Sequence, residues 1–136
     1  VHGGTYTANL IALSAARVTL EILDSTDALV TVNRVGEEIK QVLGRVFAQA
    51  GVPCCFAGPP AMFGVHFGET LPSNYRDWRK TDSTLYAAFA WGLIERGVML
   101  EPDSREPWFI CESHQNLDLA WLEDVATQAM KNALMS

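Results

Sequence analysis

Val52-Pro53-Cys54-Cys55-Phe56-Ala57-Gly58-Pro59-Pro60-Ala61-Met62-Phe63-Gly64-Val65-His66-Phe67 is the stretch that decides the fold. Val52, Cys54 and Phe56 alternate with Pro53, Cys55 and Ala57. After the break, Phe63, Val65 and Phe67 alternate with Met62, Gly64 and His66. A period of two sends each set to one face of a strand. Gly58-Pro59-Pro60-Ala61 lies between them and has the residues of a chain reversal. Residues 52–57 and 62–67 are therefore expected to pair antiparallel, with one face buried.

The flanking segments have a different period. Upstream, Val32, Val35, Ile39, Val42, Leu43, Val46 and Phe47 recur at helical spacing, and Gly51 supplies a stop. Before that helix, Leu10–Leu23 is rich in Ala and Leu, which favours helix. Thr7 or Asn9 is its candidate N-cap, and Asp24-Ser25-Thr26-Asp27 breaks it. Downstream, residues 68–80 (GETLPSNYRDWRK) read as a polar loop. A third helix is expected from about Asp82 to Arg96, with Leu85, Phe89 and Leu93 on one stripe and Gly97 at its end. Val98–Leu100 and Trp108–Cys111 read as short strands around the turn Glu101–Pro107. A last helix runs from about Asn116 to Leu134, with Leu122, Val125, Ala126, Ala129 and Ala133 inward. The result is an α+β domain of four helices, with short antiparallel strands and helices on one side. No internal repeat, linker or low-complexity tract interrupts it.

Composition narrows the function classes. The chain has 136 residues, 49% hydrophobic and 19% charged, which suits one domain with some surface covered by a partner. Its net charge of -6 argues against non-specific binding to nucleic acid or acidic lipid. Three cysteines, Cys54, Cys55 and Cys111, are an odd number with two adjacent, which points to a reducing, cytoplasmic compartment rather than a disulfide framework. No stretch approaches the roughly 20 apolar residues that span a bilayer, and no signal peptide is visible. Val1 in place of Met is expected of a chain taken from a longer reading frame.

Three segments, in order, carry a resemblance. The first is His2-Gly3-Gly4-Thr5-Tyr6-Thr7-Ala8-Asn9, running into a helix that reads Val18-Thr19-Leu20-Glu21. The second is Ala50-Gly51-Val52-Pro53 through Met62–Phe67 to Asn74-Tyr75-Arg76-Asp77. The third is Gly97-Val98 through Glu106-Pro107-Trp108-Phe109-Ile110 to Ser113-His114. Together they resemble the C-terminal portion of class III, pyridoxal-phosphate-dependent aminotransferases of the glutamate-1-semialdehyde 2,1-aminomutase type. Ala8 stands where that family has Gly, and Leu10 where it has Pro. Pro107-Trp108 stands where small residues are common.

The resemblance implies the small C-terminal domain of a fold-type-I pyridoxal-phosphate-dependent transferase that works as a homodimer. It divides the chain into a cofactor-phosphate loop with its connecting helix, residues 1–28, and an α+β small domain, residues 29–136. It implies that Gly4 and Thr5 bind the cofactor phosphate, Thr5 reaching across to the neighbouring subunit. It places Glu106 near the substrate, where a carboxylate orients an amino group on a small amino acid or amino-aldehyde. Lys40, Lys80 and Lys131 do not match the Schiff-base lysine, so no catalytic residue is assigned and the chain alone is expected to be inactive.

Each of these residues also has a plainer reading. Thr5 is a loop threonine or a cap, and Glu106 a solvated loop carboxylate. His66 and His114 with the three cysteines lack the spacing of a zinc site. The cysteines read as small buried hydrophobes on strands, and His114 as a partner in a local hydrogen bond. Trp78, Trp91, Trp108 and Trp121 read as core or interface, and Arg76, Arg79 and Lys80 as a solvated basic cluster. A free-standing α+β binding or regulatory domain is the alternative for the whole chain.

Overall fold

The computed structural model describes residues 3–136, so Val1 and His2 lie outside it. Around the Gly58–Ala61 turn the alternating segments pair as expected. Gly58 takes a positive φ of 92°, open to a residue without a side chain, and the Met62 amide donates to the Pro59 carbonyl at 3.0 Å. Strand β1 (Cys54–Ala57) runs antiparallel to β2 (Met62–Phe67), with Cys54 opposite Phe67 and Ala57 opposite Gly64. A two-residue strand, β3 (Trp108–Phe109), pairs antiparallel with Met62 and Phe63 and completes the order β1-β2-β3.

Among the described residues the α-helices are α1 (Leu10–Ser25), α2 (Ala28–Gln49), α3 (Tyr75–Trp78), α4 (Ser83–Ile94) and α5 (Leu119–Met135). Phe63, Val65 and Phe67 on β2 are buried, as their alternation requires. The Phe47 ring from α2 meets Phe67 edge-on at 4.9 Å and Phe89 of α4 at 5.2 Å. Such aromatic contacts add to simple burial. Helix α2 also buries Val35, Ile39, Val42, Leu43 and Val46. It can sit close to the hairpin turn because Gly36 has no side chain: a Cβ there would lie 1.9 Å from the Pro60 carbonyl oxygen. Helices α4 and α5 approach closely at Gly92, where a Cβ would meet that of Ala129 at 3.0 Å. The inward positions expected of the last helix are all buried.

Several expectations need correction. Residues 75–78 of the polar loop form a fifth helix, because the Asn74 side chain accepts from the amides of Arg76 and Asp77. Residues 98–100 form no strand. The chain leaves α4 through Gly97 at a φ of 91°, and the Val98 amide bonds back to the Leu93 carbonyl at 3.1 Å, so the helix end takes the donor that a strand would need. Cys111 is exposed rather than buried on a strand, and leads a 3-10 turn over Glu112–Asn116, which moves the start of the last helix to Leu119.

Helix α1 stands apart from this core. Asn9, not Thr7, caps it, its side chain accepting from the Ala12 amide at 3.0 Å. None of its sixteen residues is buried.

Candidate functional site

Two segments carry the residues singled out in the sequence. The first is the turn before α1. The Gly4 carbonyl accepts from the Thr7 amide at 3.0 Å, and the Tyr6 carbonyl from the Asn9 amide at 3.1 Å. A Cβ at Gly4 would approach only the Thr7 hydroxyl, at 3.0 Å, the end of an exposed side chain that can turn away. Ala8 takes a positive φ of 91°, a conformation glycine adopts without strain. Thr5 is exposed, and its hydroxyl makes no hydrogen bond among the described residues. An unengaged hydroxyl shortly before the start of a helix is the kind of group that can meet an anion. Lys40 lies 3.4 Å from Glu37, Lys80 lies 3.0 Å from Asp77, and Lys131 is exposed.

The second segment is the loop of residues 101–107. Glu106 is exposed, and its amide donates to the Asp103 carbonyl at 3.0 Å. Side chains from the helices hold the loop at two points. The Tyr86 hydroxyl donates to the Glu101 carbonyl at 3.3 Å and accepts from the Trp108 indole N–H at 3.0 Å. Burial pushes the Tyr86 phenol up from its ordinary range, so it stays a neutral donor. The Trp78 indole N–H donates to the Ser104 hydroxyl at 2.9 Å, and Ser104 is only 3% exposed. Arg105 lies over the Trp78 ring at 5.2 Å and forks onto Asp103, its Nε 2.9 Å from Oδ1. Hydrogen bonds from Arg105 bring the Asp103 carboxyl down to about 2.

Glu106 also lines a cavity of 590 Å³ with largely apolar walls, among them Ile39, Leu100, Ile110 and Trp121. That volume falls in the range of small-molecule sites. No hydrogen bond among the described residues joins Gly4 or Thr5 to Glu106. From the sequence Trp78 reads as packing, and Ser104, Asp103 and Arg105 do not stand out. The close Asp103–Arg105 pairing was a usable signal. The Trp78–Ser104 contact, which spans 26 residues, left none.

The remaining candidates resolve locally. The Cys111 amide donates to His114 Nδ1 at 2.9 Å, the local bond expected of that histidine. Burial pushes the Cys54 thiol up to about 12, which leaves it unreactive near neutral pH. His66 is 9% exposed, with no hydrogen-bond partner for Nδ1, and burial lowers its pKa. Among the described residues no group of three or more His, Cys, Asp or Glu side chains gathers to hold a metal, and no helix is long and apolar enough to cross a membrane.

No family model matches the chain. It is 30% identical over 115 residues to the glutamate-1-semialdehyde 2,1-aminomutase of Methanothermobacter thermautotrophicus, a match covering 85% of this chain and 27% of that protein. It is 28% identical over 133 residues to the enzyme of the same name from Tropheryma whipplei, covering 98% of this chain and 27% of the relative. The chain therefore spans about a quarter of the length of the curated relatives it matches. Among solved structures it superposes on the PLP internal aldimine form of the Sphingopyxis sp. MTA144 FumI protein. The TM-score is 0.77 at 21% identity, over 99% of this chain and 30% of that one. An omega-transaminase from Sphaerobacter thermophilus gives 0.76 at 21%, over 98% and 30%. The resemblance read from the three segments is matched by these relatives, and the fold is that of part of such transaminases.

Proposed function

We propose that this chain is the C-terminal part of a pyridoxal-phosphate-dependent class III aminotransferase or aminomutase, akin to glutamate-1-semialdehyde 2,1-aminomutase, acting on a small amino acid or amino-aldehyde. The observation that carries the reading is the match to aminomutases along 85% of the chain. Residues 1–28 then serve as phosphate loop and connecting helix, and residues 29–136 as the small domain. The intact enzyme is a cytoplasmic homodimer, and its lysine comes from the remainder of the protein. Bound pyridoxal phosphate would supply the electron sink for moving the amino group. Gly4 lets the backbone approach the phosphate, and the Thr5 hydroxyl donates to it across the subunit boundary. Glu106 orients the substrate amino group at the wall of the apolar cavity.

The test is Thr5→Ala in the intact enzyme. Loss of a hydrogen bond to a charged group costs about 1.5–3 kcal/mol. Cofactor affinity, followed by spectral titration, should therefore fall roughly tenfold to hundredfold. The melting temperature of the apo form should not change, because Thr5 is exposed and bonded to nothing in the core. Unchanged cofactor affinity would reduce Thr5 to an ordinary loop residue.

A further inference from the structure

We propose that Trp78 and Ser104 are positioning residues for Glu106, and that their hydrogen bond sets how well the carboxylate meets the amino group of the substrate. The inference rests on the substrate role given to Glu106 above and names what holds that residue in place.

The geometry of the loop supports it. Glu106 is exposed and has no side-chain hydrogen bond among the described residues, so its position is inherited from the backbone that carries it. That backbone is anchored two residues away at Ser104, the one residue of the segment that is fully buried. Ser104 is polar, and burial of a hydroxyl is tolerated only with a partner. Its partner is the Trp78 indole N–H on α3, at 2.9 Å. Tyr75 stacks on Trp78 from one position of the same short helix, with ring centres 5.3 Å apart, and the guanidinium of Arg105 packs on the indole as well. Arg105 in turn is forked onto Asp103, whose carbonyl receives the Glu106 amide. Residues 103, 104, 105 and 106 are thus tied into one unit, whose side-chain hydrogen bond to a helix, among the described residues, is that of Ser104 to Trp78. The clamp at Tyr86 holds both ends, at the Glu101 carbonyl and, through the Trp108 indole, two residues beyond Glu106.

A merely structural hydrogen bond would affect melting and nothing specific to substrate. A positioning bond predicts a split in kinetic constants that depends on Glu106. In the intact enzyme, Trp78→Phe keeps the ring for Tyr75 and Arg105 but removes the N–H, and Ser104→Ala removes the acceptor. Each should raise KM for the amino substrate roughly two- to tenfold, the range of one net hydrogen bond. The double variant should be no worse than the poorer single one, since both remove the same contact. Neither should raise KM further in a Glu106→Ala background. Independently of turnover, hydrogen exchange of the Glu106 amide should quicken in both variants, while exchange in α5 stays unchanged. If Glu106→Ala raises KM but Trp78→Phe and Ser104→Ala do not, the positioning role is overturned and the substrate role of Glu106 stands. If Glu106→Ala leaves KM unchanged, both fall. Additive effects of the two single variants would also overturn the proposal.

Discussion

Helices α1 and α2 follow each other directly and are both rich in apolar residues, yet α2 buries seven residues and α1 buries none. In α2 the apolar positions fall on a single stripe, from Val35 to Phe47, and that stripe is the floor of the core. In α1, Leu10, Ile11, Leu13, Val18, Leu20 and Ile22 lie on more than one side of the helix, and all are exposed. The uncovered region continues into Leu29 and Val30 at the start of α2. Local terms hold α1: the Asn9 cap, Ala and Leu propensity, and the Arg17–Glu21 pair at 2.7 Å. Such terms are small next to burial. A helix that is apolar on several sides is the form expected of one covered by more than its own domain. This fits the proposal that residues 1–28 connect the small domain to the rest of an enzyme.

The strongest way to break the contrast is at the seat of α2. Gly→Ala within a helix ordinarily stabilises by about 1 kcal/mol. At Gly36 the sign should reverse, because the new Cβ would lie 1.9 Å from a backbone oxygen of Pro60, which cannot move without shifting the hairpin turn. Gly36→Ala should cost about 3 kcal/mol or more, the upper range of overpacking, read as a lowered urea midpoint. A variant as stable as the parent would mean that α2 does not sit against the turn, and the core as described would be wrong.

The same contrast explains what the sequence could disclose. The α2 stripe and Phe63, Val65 and Phe67 on β2 were legible because burial imposes a period, whereas β1 is half-buried on both faces and His66 is buried on the face expected to be open. Helix α3 was not legible, since four residues held by an Asn74 side chain have no period to show. The strand expected at Val98–Leu100 failed for a local reason, the Gly97 helix end, which outcompeted the β-propensity of Val98. Thr5 was singled out by the glycines before a helix together with the resemblance, and Glu106 by the resemblance alone. The Trp78–Ser104 bond that ties down the Glu106 loop was not legible, because it joins a short helix to a loop 26 residues away.

A smaller effect comes from the cost of burial inside the covered region. His66 sits on β2 with Nδ1 unpartnered, and burial lowers its pKa below the ordinary 6.5. The unfolded chain therefore binds this proton more readily than the folded one. Stability is then unaffected above the unfolded value and falls as pH drops below it. His66→Phe should flatten the stability curve in that window when urea midpoints are compared at several pH values. The carboxylates held down by partners, Asp77, Asp103 and Glu123, act at lower pH and leave this window to the histidine. A parent curve that is level from neutral pH to pH 5 would show that His66 titrates normally.

The smallest expected effect sharpens the comparison most, because it should depend on what surrounds the chain. Leu20 of α1 is 66% exposed, whereas Leu43 of α2 is fully buried. In the 136-residue chain, Leu43→Ala removes core contacts and should cost about 2–5 kcal/mol. Leu20→Ala removes almost none, and Ala is the better helix former, so the change should stay within about 0.5 kcal/mol. In the intact enzyme proposed above, α1 is covered, and the same Leu20→Ala should then cost on the order of the Leu43 value. Urea unfolding of both variants in both contexts separates the cases. A large loss for Leu20→Ala in the chain alone would mean that α1 already packs on the domain. A negligible loss in the intact enzyme would mean that α1 stays uncovered there, and residues 1–28 would lose their role as the connection.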